Sequence, residues 1–249
     1  MNRILAVIAT TLLLVQPVVG GAASTDTDRR SEAVHFAKGT TSTVIKGQIK
    51  GYHYIDYQVR AGAGQTLSVA MKTGNASNYF NIIPPGGGDV AMFIGSTSGN
   101  QFSGVLPTDG DYSIRVYLMR NAARRNESAN YALTVGVTGQ ALAATPAARD
   151  ALIPGTHFHA SAKIACTPPY DATTKECEAF VIRRGFDGTA TVEVRWGAGM
   201  KRRILFVKGK PVAADATEEL SVERRGDVSV VRLGSDERFE IPDALVFGG

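Results

Sequence analysis

The sequence predicts an all-β protein: an antiparallel β-sandwich followed by a second, smaller, disulfide-containing β-domain. Short runs of alternating polar and apolar residues, rich in β-branched and aromatic side chains, recur from Ile45 to Val137 and again from Cys177 to Leu233. That is the period of half-buried strands. Turn-forming clusters separate the runs: Gly62-Ala63-Gly64, Pro84-Pro85-Gly86-Gly87-Gly88, Ser98-Gly99-Asn100 and Asp109-Gly110, the punctuation of antiparallel sandwiches. No heptads and no internal repeat compete with this reading.

The chain opens like an exported protein. Asn2-Arg3 gives a short basic start, Ile4–Val19 is apolar apart from Thr10, Thr11 and Gln16, and Gly20-Gly21-Ala22-Ala23 supplies small residues. The apolar run falls short of the ~20 residues a membrane-spanning helix needs. Residues 1–23 therefore read as a signal peptide cut after Ala23. No cysteine near the cut offers a lipid anchor, and no later stretch is apolar enough to span a bilayer, so no membrane insertion is expected after cleavage. The expected organisation is a β-sandwich at 24–138, a linker at 139–155 and a small β-rich domain at 156–249.

Within the first unit, Tyr52, Tyr54 and Asp56 are expected on one face of a strand, with His53, Ile55 and Tyr57 on the other. Further on, Tyr112–Leu118 and Tyr131–Val137 both alternate as strands. Between them lies a polar connection longer than the two to five residues of most hairpins, and long ordered loops are more often functional. It holds three arginines and two asparagines in seven residues: Arg120, Asn121, Arg124, Arg125 and Asn126, with Glu127 as the nearby carboxylate. Guanidinium forks suit carboxylates and phosphates, so this loop is built to enter something acidic.

Residues 138–154 turn Ala-rich with little alternation, which fits a linker or a short helix over Ala147–Leu152. Strands resume in the second half, and Val222–Val228 reads as a hairpin with Gly226 in the positive φ a tight turn needs. Cys166 and Cys177 are the two cysteines. In an exported chain they read as a disulfide closing a small loop, worth roughly 2–3 kcal/mol. His157 and His159 precede them without zinc-site spacing, so no metal is expected.

The formal net charge is +4, of which Arg3 in the leader supplies one. Residues 24–138 carry 11 Lys+Arg against 8 Asp+Glu, while 139–249 carry 15 of each. So small an excess steers weakly toward anionic partners and is no nucleic-acid footprint. No GxSxG, HExxH or P-loop pattern occurs. The sequence therefore points away from an enzyme, with no catalytic residues and no cofactor.

Four segments together resemble a known family: Lys50-Gly51-Tyr52-His53-Tyr54-Ile55-Asp56-Tyr57, Ala63-Gly64-Gln65, Gly110-Asp111-Tyr112-Ser113-Ile114-Arg115-Val116 and Arg120-Asn121-Ala122-Ala123-Arg124-Arg125-Asn126. Over about residues 44–137 the chain is similar to the periplasmic inhibitors of goose-type (g-type) lysozyme. The resemblance implies a periplasmic or secreted protein of a Gram-negative bacterium, whose sandwich plugs the enzyme's acidic substrate cleft with loops from one end. It carries over Tyr52, Arg120 and Arg124 as partner contacts, with Tyr54, Asn121, Arg125 and Asn126 in support. The expected partner is then a g-type lysozyme, with peptidoglycan as a second candidate. The alternative is a periplasmic binding module for cell-wall carbohydrate or an envelope protein, in which Tyr52 and Tyr54 would matter more than the arginines.

Overall fold

The computed structural model describes residues 29–248 apart from Ala172 and Ala198; the expected signal peptide lies outside them. Nine strands build the first half: β1 (Arg29–Ala33), β2 (Ser42–Lys50), β3 (Tyr54–Ala61), β4 (Thr66–Thr73), β5 (Asn78–Ile83), β6 (Phe93–Ile94), β7 (Gln101–Val105), β8 (Gly110–Leu118) and β9 (Ser128–Thr138). A single turn of helix, α1 (Gly95–Ser98), follows β6, and α2 (Arg120–Arg124) lies between β8 and β9. A five-stranded sheet in the order β1-β3-β8-β5-β6 faces a four-stranded sheet in the order β2-β9-β4-β7. All pairings are antiparallel except that of β1 with β3.

The alternation read from the sequence becomes the packing. On β3, Ile55, Tyr57, Val59 and Ala61 turn inward, where they meet Tyr112, Ile114 and Val116 of β8 and Leu67, Leu133 and Val135 of the facing sheet. Tyr57 and Tyr131 bridge the two sheets, hydroxyl to hydroxyl at 2.7 Å, so burial leaves neither phenol without a partner. Tyr112 of the Gly-Asp-Tyr turn donates its hydroxyl to the carbonyl of Thr108 at 2.8 Å. That closes the corner entering β8.

Eight strands build the second half: β10 (Ala160–Thr167), β11 (Glu176–Arg183), β12 (Ala190–Trp196), β13 (Met200–Val207), β14 (Lys210–Ala214), β15 (Leu220–Arg225), β16 (Val228–Leu233) and β17 (Glu237–Pro242), closed by α3 (Asp243–Phe247). They form one sheet in the order β14-β13-β12-β11-β10-β17-β16-β15. Its core is separate from the first and is built on Val192, Val194, Trp196, Ile204, Phe206 and Phe239. Cys166 and Cys177 are joined by a disulfide within it. Gly226 turns β15 into β16 at φ 60°. No helix forms over Ala147–Leu152; a turn stands there, because Pro146 and Pro154 bracket a stretch too short to propagate one.

The halves touch at one end of the sandwich. The Arg184 side chain is buried between them, donating to the Leu142 carbonyl and to Asp109 Oδ2 at 2.8 Å. Thr191 donates its hydroxyl to the Pro107 carbonyl at 2.7 Å. Residues 62–65 and 106–109 make up this end. The opposite end, about 27 Å away along β3 at ~3.4 Å per residue, carries the arginine segment.

Candidate functional site

Three connections meet at that free end: residues 51–53 between β2 and β3, 74–77 between β4 and β5, and 119–127 between β8 and β9. The last is not an open loop but carries α2. One and a half turns are too short to show a helical period in sequence, so the alternation pattern hides them. Ala122 and Ala123 are 0% and 3% exposed and pack into the sandwich core. Alanine is the best helix former, yet a helix this short does not hold by propensity alone. It is the burial of these two methyl groups that fixes it. Arg120, Asn121, Arg124, Arg125 and Asn126 are left facing solvent.

The helix is closed at both ends by backbone bonds. Ala123 N–H donates to the Met119 carbonyl at 2.9 Å, Asn126 N–H to Ala123 at 2.9 Å and Glu127 N–H to Ala122 at 3.2 Å. Asn126 leaves the helix at φ 54°, a left-handed conformation that asparagine tolerates better than most residues. Asn121 turns its Oδ1 onto the neighbouring Ala122 N–H at 2.9 Å.

The three arginines differ. Arg125 donates Nε–H to Glu127 Oε1 at 2.7 Å, while Glu127 Oε2 accepts the Asn75 amide at 3.0 Å. The bond from Asn75, and next that from Arg125, hold the Glu127 carboxyl below its ordinary range. Glu127 thus fastens the segment to the 74–77 connection, with Arg125 paired to it. Among the described residues Arg120 and Arg124 have no hydrogen-bond or ion-pair partner for their guanidinium groups.

Tyr52 belongs to this end, but by a different route from the one its spacing predicts. β3 begins at Tyr54, so Tyr52 stands in the turn, 57% exposed, rather than on the strand face. The turn is docked on the arginine segment: Gly51 N–H donates to the Glu127 carbonyl at 2.9 Å. A Cβ at Gly51 (φ +59°) would stand 2.9 Å from Asn126 Oδ1. Tyr54 faces out from the five-stranded sheet, with the Arg115 guanidinium 4.6 Å from its ring centroid. Arg115 also clasps Asp56 at 2.8 and 3.0 Å and reaches Asp89 at 2.9 Å, and Arg29 pairs with Asp56 at 3.1 Å. Asp56 is fully buried, so this group is a satisfied ionic cluster. Its signal in sequence was an aspartate amid strand aromatics.

Two other sequence features resolve into structure. His159 accepts the Arg183 N–H through Nδ1 at 3.0 Å, which leaves Nε2 to donate to the Thr145 carbonyl at 2.8 Å. Among the described residues no cluster of His, Cys, Asp or Glu is placed to hold a metal ion, and no helix is long and apolar enough to cross a membrane.

The fold is thus an antiparallel β-sandwich that presents a cationic helix and an exposed tyrosine at one pole, on connections held by a rigid scaffold. The chain belongs to the family of inhibitors of g-type lysozyme. It is 33% identical over 108 residues to the inhibitor of g-type lysozyme from Escherichia coli (strain K12), a match spanning 42% of this chain and 78% of that protein. Among solved structures, the periplasmic inhibitor of g-type lysozyme from Aeromonas hydrophila is 38% identical, covering 45% of this chain and 98% of that one with a TM-score of 0.41. Its counterpart from Salmonella Typhimurium is 29% identical, covering 44% and 98% with a TM-score of 0.36. No family model matches the chain.

Proposed function

We propose that this protein is an exported, periplasmic inhibitor of g-type lysozyme that inserts α2 into the enzyme's acidic substrate cleft. The observation that carries this reading is the pair Arg120 and Arg124: exposed, unpartnered, and fixed on a helix whose alanines are locked in the core. A preorganised guanidinium loses little freedom on binding, and glycosidase clefts depend on carboxylates held at a set ionisation. Pairing with such a carboxylate disables it and fills the sugar subsite. Tyr52, and less directly Tyr54, flank the plug, while Asn121, Arg125 and Asn126 shape and hold it. We assign this activity to residues 24–138, with 139–155 as the connection and 156–249 as a separate β-rich unit.

The test is a cell-wall lysis assay with the mature protein titrated against goose-, chicken- and invertebrate-type lysozymes. Inhibition of the goose type is expected. The double variant R120A/R124A is expected to lose at least about 100-fold in inhibition, the scale of a central arginine hot spot, with its circular dichroism unchanged. A double variant as potent as wild type would remove α2 from the interface.

A further inference from the structure

Resting on the inhibitor reading, we infer that the outward face of the four-stranded sheet is a second part of the docking surface, a cationic flank that seats on acidic surface beside the lysozyme cleft. A stable inhibitor complex buries about 800 Å² per partner, over roughly 20–30 residues. The three connections at the loop end offer 3, 4 and 9 residues, 16 together, which falls short of that number, so the footprint is expected to run onto a neighbouring face. Two faces adjoin the loop end. On the five-stranded sheet the charge there is already neutralised, Arg115 being committed to Asp56 and Asp89.

The four-stranded sheet is different. β2, β4, β7 and β9 contain no aspartate or glutamate at all, yet Lys46, Lys50 and Lys72 point outward from it. Lys46 and Lys72 both lie opposite Ala132 of the strand between them, two strand spacings or about 10 Å apart. They wall a groove of about 500 Å³ lined also by Gly47, Thr73, Asn130 and Tyr131, with no acidic residue. Small Ala132 in the middle leaves the groove open. Among the described residues neither lysine side chain has an ion-pair or hydrogen-bond partner. The groove also includes Gly74, at the edge of the 74–77 connection that Glu127 ties to the arginine segment. The helix and the groove are therefore neighbours at the same end of the sandwich, two cationic patches on either side of Glu127. Exposed unpaired charge of this kind acts mainly on the rate of encounter and is screened by salt.

The experiment measures association and dissociation rates of the full mature protein with a g-type lysozyme at low and high ionic strength. For K46E/K72E the association rate is expected to fall at least about tenfold at low salt, the gap closing as salt rises, with dissociation within about twofold of wild type. K46Q/K72Q, which removes charge without reversing it, is expected midway. R120A/R124A, which also removes two exposed charges, is expected to lose part of the salt dependence of association but, unlike K46E/K72E, to dissociate much faster at every salt concentration. An unchanged association rate in K46E/K72E overturns the inference, as does a defect that persists at high salt. So does retention on purified cell-wall glycan that K46E/K72E abolishes while lysozyme association is untouched, which would make the flank a polymer site. Failure of the wild type itself to bind would instead remove the inhibitor reading.

Discussion

The amide of Gly51 donates to the carbonyl of Glu127 at 2.9 Å, and this bond ties the turn bearing Tyr52 to the segment bearing Arg120 and Arg124. Gly51 sits at φ +59°, and a Cβ there would stand 2.9 Å from Asn126 Oδ1. Gly51→Ala is therefore expected to cost about 1–2 kcal/mol and to push the turn off the helix. Chemical denaturation checks the stability. The lysis assay should show a loss of inhibition even where the variant remains fully folded.

Removing the Cys166–Cys177 disulfide, which closes a loop over a sequence separation of 11, should lower the stability of the second half by about 3 kcal/mol. Both cysteines lie in the second core and neither in the first. A C166S/C177S variant should thus unfold its C-terminal half earlier, while inhibition by the folded protein stays within about twofold of wild type. Denaturation followed by Trp196 fluorescence, set beside the lysis assay, separates the two effects. An equal loss in both would contradict the independence of the cores.

Acid sensitivity has an identifiable contributor in Glu193. Burial raises its pKa, but the hydrogen bond from Arg195 and the charge of Arg203 outweigh burial and hold it below the ordinary value of 4.5. A carboxyl depressed in the folded state contributes stability that is present above its unfolded pKa and is lost as pH falls through the folded one. The gap in melting temperature between wild type and Glu193→Gln should therefore be widest above about pH 5 and shrink as the pH drops below 4.5. Asp215 has the opposite sign, since nearly complete burial raises its pKa. A gap that stays constant from pH 7 to pH 3 would show that Glu193 contributes nothing through its charge.

The fold was legible wherever one face of a strand is buried. Tyr57 and Tyr112 stand between polar neighbours, Tyr131 between Asn130 and Ala132, and all three lie in the core. β1 was not legible, because Arg29–Ala33 shows no alternation and pairs through its backbone and Arg29. The arginine segment was visible by composition, whereas its helical form was not, since only Ala122 and Ala123 report it. Spacing alone predicts Tyr52 on a strand; Gly51, at φ 59°, bends the chain first. The pairing of Lys46 and Lys72 across Ala132 is not legible in the sequence, because it depends on the register of three strands that are distant along the chain.

Arg184 and Thr191 fasten the second half to the 106–109 end of the sandwich, the pole remote from α2. If α2 holds a partner as proposed, that partner would sit about 27 Å from the joint, and residues 156–249 would leave it room. The same separation would let the second half make a contact of its own without displacing anything bound at the first.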